Sequence, residues 1–146
     1  MERIDIEEAL REGKSIQIRP QGYSMYPLLV PERDEVILRA VDPAELRRGD
    51  VVLYRREGSI LVLHRIWKKR SDGFYMVGDN QTKVEGPIAE EQVRAIMTGI
   101  IRKGRYLPAG NPGYRFLSAV WLSLRPFRRA ISVPVAKLRT FLRKSQ

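Results

Sequence analysis

Between residues 15 and 102 the chain falls into short runs rich in β-branched and aromatic residues, each closed within a few positions by turn chemistry. Residues 15–19 alternate polar and apolar side chains, 35–39 do so more loosely, and 51–54, 60–67, 74–77 and 95–102 continue the pattern. Successive side chains of a strand point to opposite faces, so these runs predict strands. Proline, glycine and aspartate cluster between them at 31–34, 42–49, 57–58 and 72–73, where the backbone must reverse. Short strands separated by turns predict a mainly β body, a sandwich or barrel. A short helix over Ile6 to Arg11, capped by Asp5 and stopped by Gly13, is expected ahead of it. Asp42 and Pro43 predict the cap of a single helical turn, and the body is expected to end near Lys103 and Gly104.

At 146 residues and 43% hydrophobic composition, the chain has room for one core plus an appendage. Residues 108–113 read as a linker, dividing a 1–107 body from a 108–146 tail. Two amphipathic helices broken at Arg125-Pro126 are expected in the tail, with an apolar face running from Phe116 and Val120 through Leu124 and Phe127 to Leu142. The formal charge is +10, and residues 115–146 contain eight Lys or Arg and no Asp or Glu. Such a balance points to an anionic partner: a phospholipid surface, a nucleic acid or an acidic peptide. The tail's apolar face has two readings of equal weight, attachment to anionic lipid or packing on the protein's own body. The absence of cysteine excludes disulfides and thiol chemistry, and a single histidine argues against a zinc centre, so no metal is expected. No run approaches the ~20 apolar residues that span a bilayer, and the first residues lack a secretory pattern; the expected location is the cytosol, with peripheral attachment to the inner face of the membrane.

Three positions carry candidate chemistry. Ser24 lies in Gly22-Tyr23-Ser24-Met25-Tyr26-Pro27, just after the first strand, where a turn can present a hydroxyl at a sheet edge. Taken alone it reads as a turn cap. His64 shares a strand face with Ile60, Val62 and Ile66, and taken alone it reads as a satisfied core residue. Desolvation by such neighbours favours the neutral imidazole, the form that can take a proton from a serine hydroxyl. Asp79 follows the strand 74–77 in Gly78-Asp79-Asn80 and can leave the sheet edge to orient an imidazole; alone it reads as an Asx-turn.

Together these residues resemble the signal peptidase I and LexA-like serine peptidases. The resemblance covers roughly residues 14–104 through four boxes in order: 22–29, 48–54, 62–66 and 78–80. It implies Ser24 as nucleophile and His64 in the base position, which lysine holds in bacterial signal peptidases and histidine in the archaeal and endoplasmic-reticulum forms. It implies an orienting aspartate near the Gly78-Asp79-Asn80 box, for which Asp79 is the candidate. It also implies an extended peptide substrate along a strand edge, small residues beside the cut, and no cofactor. The expected function is a serine endopeptidase that cleaves leader or precursor peptides through an acyl-enzyme.

Three residues depart from the family pattern. Gly22 stands where many signal peptidases have a serine that helps bind the oxyanion, which leaves that work to the backbone around Gly22, Tyr23, Ser24 and Met25. Arg33 replaces an expected glycine before Asp34, and the aspartate that often follows the Gly-Asp-Asn box is absent, with Glu85 the nearest carboxylate. The family's membrane anchor ahead of the serine box has no counterpart in this sequence, which points away from precursors cut on the far side of a membrane. Two rival functions are a LexA-like nucleic-acid-associated regulator and an inactive scaffold with a membrane-binding tail. Nucleic acid ranks below because residues 1–21 leave no room for a helix-turn-helix and hold no Ala-Gly self-cleavage pair.

Overall fold

The computed structural model describes residues 6–20, 25–26, 28–56, 60–80 and 83–124. A short helix α1 (Ile6–Arg11) leads into β1 (Ile16–Ile18), β2 (Asp34–Arg39), β3 (Val51–Arg55), β4 (Leu61–Arg70), β5 (Gly73–Val77), β6 (Glu85–Ile88), β7 (Val93–Arg102) and β8 (Arg105–Pro108), and α2 (Pro112–Ser123) follows. The eight strands form one antiparallel sheet in the order β1-β2-β7-β3-β4-β5-β6, with β8 added to β7. The mainly β character expected from the alternation is therefore present.

The long strand β7 organises this sheet. It pairs along one edge with β2 and along the other with β3 and then β8. The register slips at Thr98 against β2, where Ile37 faces Gly99 and Leu38 faces Met97. One extra residue there turns the following side chains over, which is why Ala95, Met97 and Ile100 all reach the same core.

Alternation along β3 divides the apolar residues between two cores. Val51 and Leu53 pack with Leu29, Val36, Leu38, Met97 and Ile100. Val52 and Tyr54 pack on the other side with Leu46, Ile66, Phe74, Met76 and Ile88. Each such side chain, fully buried, contributes about 1.5–3 kcal/mol. A one-residue slip of β3 would exchange the two sets, so burial fixes its register on both faces.

Several local expectations hold. Gly13 ends α1 with a φ of +82°, and the Asp42 carboxylate caps a single 3₁₀ turn (Pro43–Glu45) by accepting from the Ala44 N–H at 3.0 Å. The body does not end at residues 103–104. Lys103 and Gly104 have φ of +52° and +76°, the left-handed pair that a two-residue hairpin needs, and they return the chain as β8. The sequence reading also passes over β6, whose Gly86 and Pro87 speak against a strand; Pro87 is accommodated because β6 is the last strand of the sheet.

The start of the tail packs on the body. Asn111 caps α2 by accepting from the Tyr114 N–H at 3.1 Å, and Pro112 opens the helix. Tyr114, Ser118 and Leu122, four residues apart, form its buried stripe. The second expected helix, beyond Pro126, lies outside the described residues.

Candidate active site

His64 stands opposite Val52 in the β3–β4 ladder, and Tyr54 stands opposite Val62. Tyr54 and His64 are thus diagonal neighbours on one face, within reach of each other's long side chains. Both are buried, His64 at 4% exposure and Tyr54 at 0%. The Tyr54 hydroxyl lies 3.1 Å from His64 Nδ1. It donates to Glu85 Oε2 at 3.0 Å. Glu85 enters from β6, and Arg56 clamps its carboxylate through Nε at 2.9 Å and Nη2 at 2.8 Å.

This chain of contacts decides the tautomer. The hydrogen bonds from Arg56, and further on that from Tyr54, hold Glu85 below the usual carboxylate range, although burial opposes them. An ionised Glu85 only accepts, so the phenolic proton of Tyr54 must point to it. Burial and then the Glu85 charge push the Tyr54 pKa well up, so the phenol keeps that proton. The Tyr54 oxygen is left to accept, and the network assigns the imidazole proton to Nδ1 and the free lone pair to Nε2.

Desolvation lowers the His64 pKa below its ordinary value of 6.5, against the opposing pull of Glu85. The neutral, proton-accepting form therefore persists to lower pH than for a free imidazole. A reaction that needs this base is expected to rise along a limb centred below pH 6.5, read as initial rate against pH. The same shift has a stability consequence. The unfolded chain takes up the proton first as pH falls, so His64 contributes stability that is present above about 6.5 and lost as pH drops through its lower folded value.

Asp79, expected to orient His64, is engaged elsewhere. Its Oδ1 and Oδ2 accept from Arg65 Nε and Nη2, both at 2.8 Å, and this pair is almost fully buried, at 1% and 0% side-chain exposure. Arg65 follows His64 in sequence, but strand alternation sends its side chain to the other face. There it also donates to the Gly49 carbonyl at 2.8 Å and to the Tyr114 hydroxyl at 3.1 Å. Trp121 of α2 closes the group by donating its Nε1–H to the Asp79 carbonyl at 2.6 Å. The side chain beside the imidazole is Tyr54, with Glu85 behind it, while the Asp79 carboxylate bonds to Arg65. Glu85 was visible in the sequence only as the carboxylate nearest to the Gly-Asp-Asn box, and Tyr54 only as the last residue of the 48–54 box.

Gly22, Tyr23 and Ser24 lie outside the described residues. Met25 is 3% exposed in the core shared by β2, β3 and β7, so its side chain is committed to packing. The chain that follows is fixed at several points. Leu29 N–H donates to the Met25 carbonyl at 2.9 Å. Buried Asp34 accepts from Val30 N–H at 2.9 Å and from Arg102 Nε at 2.8 Å. Arg33, the residue in place of an expected glycine, joins through Nε at 3.1 Å, and Arg102 Nη2 reaches the Leu28 carbonyl at 3.0 Å. Arg33 thereby adds a partner to the buried carboxylate.

Among the described residues no group of three or more His, Asp or Glu is arranged to hold a metal ion. Compared with known proteins, the chain matches no family model, no curated protein and no solved structure.

Proposed function

We propose that this chain is a serine endopeptidase of the signal-peptidase type that cleaves leader or precursor peptides, with Ser24 as nucleophile and His64 as general base. The observation that carries the reading is the buried His64, held as a neutral Nδ1–H tautomer by Tyr54 and Glu85. A histidine serving only the core needs no clamped carboxylate behind it, whereas a base that becomes imidazolium during turnover does. The resemblance of residues 22–29 supplies the nucleophile.

In this mechanism Ser24 Oγ attacks the peptide carbonyl while its proton passes to His64 Nε2. The tetrahedral oxyanion is met by backbone N–H groups of residues 22–25. As the C–N bond breaks, Nε2 returns the proton to the leaving amine. Water then adds to the acyl-enzyme by the same route, with His64 again the base. The imidazolium formed in each half is stabilised through Tyr54 by the Glu85 charge. The substrate would lie extended along a strand edge, bonded by its own backbone.

The test is acylation of the purified chain by a fluorophosphonate, read by intact mass and peptide mapping. One adduct per chain, on the peptide containing Ser24, is expected. Tyr54→Phe should slow its formation by about 10–100-fold, the loss of one hydrogen bond to a charged group. Absence of an adduct on demonstrably folded protein, or an adduct on another residue, would overturn the assignment.

A further inference from the structure

Helix α2 carries apolar side chains on two opposite sides, and the body covers only one of them. Tyr114, Ser118 and Leu122 face inward, and Trp121 and Tyr114 tie the helix to Asp79 and Arg65. At about 100° per residue, Phe116 and Val120 fall on the far side. Phe116 is 72% exposed, Leu117 56% and Val120 40%. A helix that docks by one stripe and leaves a second apolar stripe in solvent marks an interaction surface.

The charge distribution selects its occupant. All seventeen Asp and Glu precede residue 92, and residues 125–146, which follow α2 directly, hold seven Lys or Arg. A nucleic acid would answer the charge but not the apolar stripe. A second copy would answer the stripe, but two chains of formal charge +10 repel. An anionic bilayer answers both, and among the described residues no helix is long and apolar enough to cross one. We propose that the outward stripe of α2, Phe116, Leu117 and Val120, lies in the interface of an anionic lipid membrane. The basic residues beyond it attract the lipid headgroups, and the apolar stripe enters the acyl boundary. The inward stripe then holds the β body at a fixed orientation to the lipid. This inference does not depend on the peptidase reading.

The test is co-sedimentation of the full chain with phosphatidylcholine vesicles, with and without phosphatidylglycerol. The wild-type chain should pellet with the anionic vesicles and be released by high salt. The exposed double substitution Phe116→Ser with Val120→Ser should weaken binding by about 10–100-fold while leaving the unfolding temperature unchanged. Failure of the wild-type chain to pellet, or equal pelleting of the double variant, overturns the proposal. Equal binding to neutral vesicles removes its anionic part. A wild-type dimer that the double variant converts to monomer, read by light scattering, assigns the stripe to a second copy and also overturns it.

Discussion

His64→Gln is expected to abolish fluorophosphonate labelling at Ser24, lowering its rate by about 10⁴-fold or more, as loss of the base does in serine hydrolases. The effect should exceed that of any other single change that leaves the chain folded, because His64 alone handles the proton in every step of the proposed mechanism. Glutamine keeps a polar side chain of similar reach beside Tyr54 but has no basic lone pair, so the variant tests chemistry more than packing. Unfolding monitored by circular dichroism should show a modest change only. Ser24→Ala must remove the adduct as well, since it removes the attacked atom. Labelling that survives His64→Gln would place the base on another side chain and remove the meaning given to the Tyr54 and Glu85 contacts.

The parts of this arrangement that were legible in the sequence are those encoded within a single strand or turn. Period-two alternation located β1 to β5 and β7 and placed His64 among apolar neighbours. The cap at Asp42 and the stop at Gly13 were equally local. What escaped depends on register between strands. Tyr54 and His64 are ten residues apart, and Tyr54 and Glu85 thirty-one; they meet only because β3 pairs with β4, and β5 brings β6 alongside. The two missed strands had contrary local signals, Gly86 and Pro87 inside β6 and a Lys103-Gly104 pair that read as an ending when it was a hairpin turn. The tail's outward stripe was legible as spacing. Which stripe of α2 the body covers was not, because it depends on where Arg65 and Asp79 emerge.

The same logic separates the two carboxylates that the sequence left in competition. If Asp79 oriented His64, its removal would chiefly slow acylation; if it neutralises Arg65, removal should chiefly unfold the protein. The structure favours the second outcome. Burial works against the Arg65 charge, and the carboxylate charge and hydrogen bonds of Asp79, with the hydrogen bond to the Tyr114 hydroxyl, more than offset it, raising the pKa above the usual value for arginine. Asp79→Ala strands that guanidinium in the core between Gly49 and Tyr114 with no counter-charge. Breaking a buried pair from one side costs about 3–5 kcal/mol, or a fall in unfolding temperature on the order of 10–20 °C. Calorimetry on the variant measures it. Restoring a matched apolar pair, Arg65→Met with Asp79→Leu, should recover much of the loss, because the penalty lies in the orphaned charge more than in the missing attraction. At a temperature where the Asp79→Ala chain is still folded, its labelling rate should stay within a few-fold of wild type, while Tyr54→Phe, which costs about 1–3 kcal/mol of stability, labels slowly. The reverse pattern, a stable but slow Asp79 variant beside an unaffected Tyr54→Phe, would return the orienting role to Asp79.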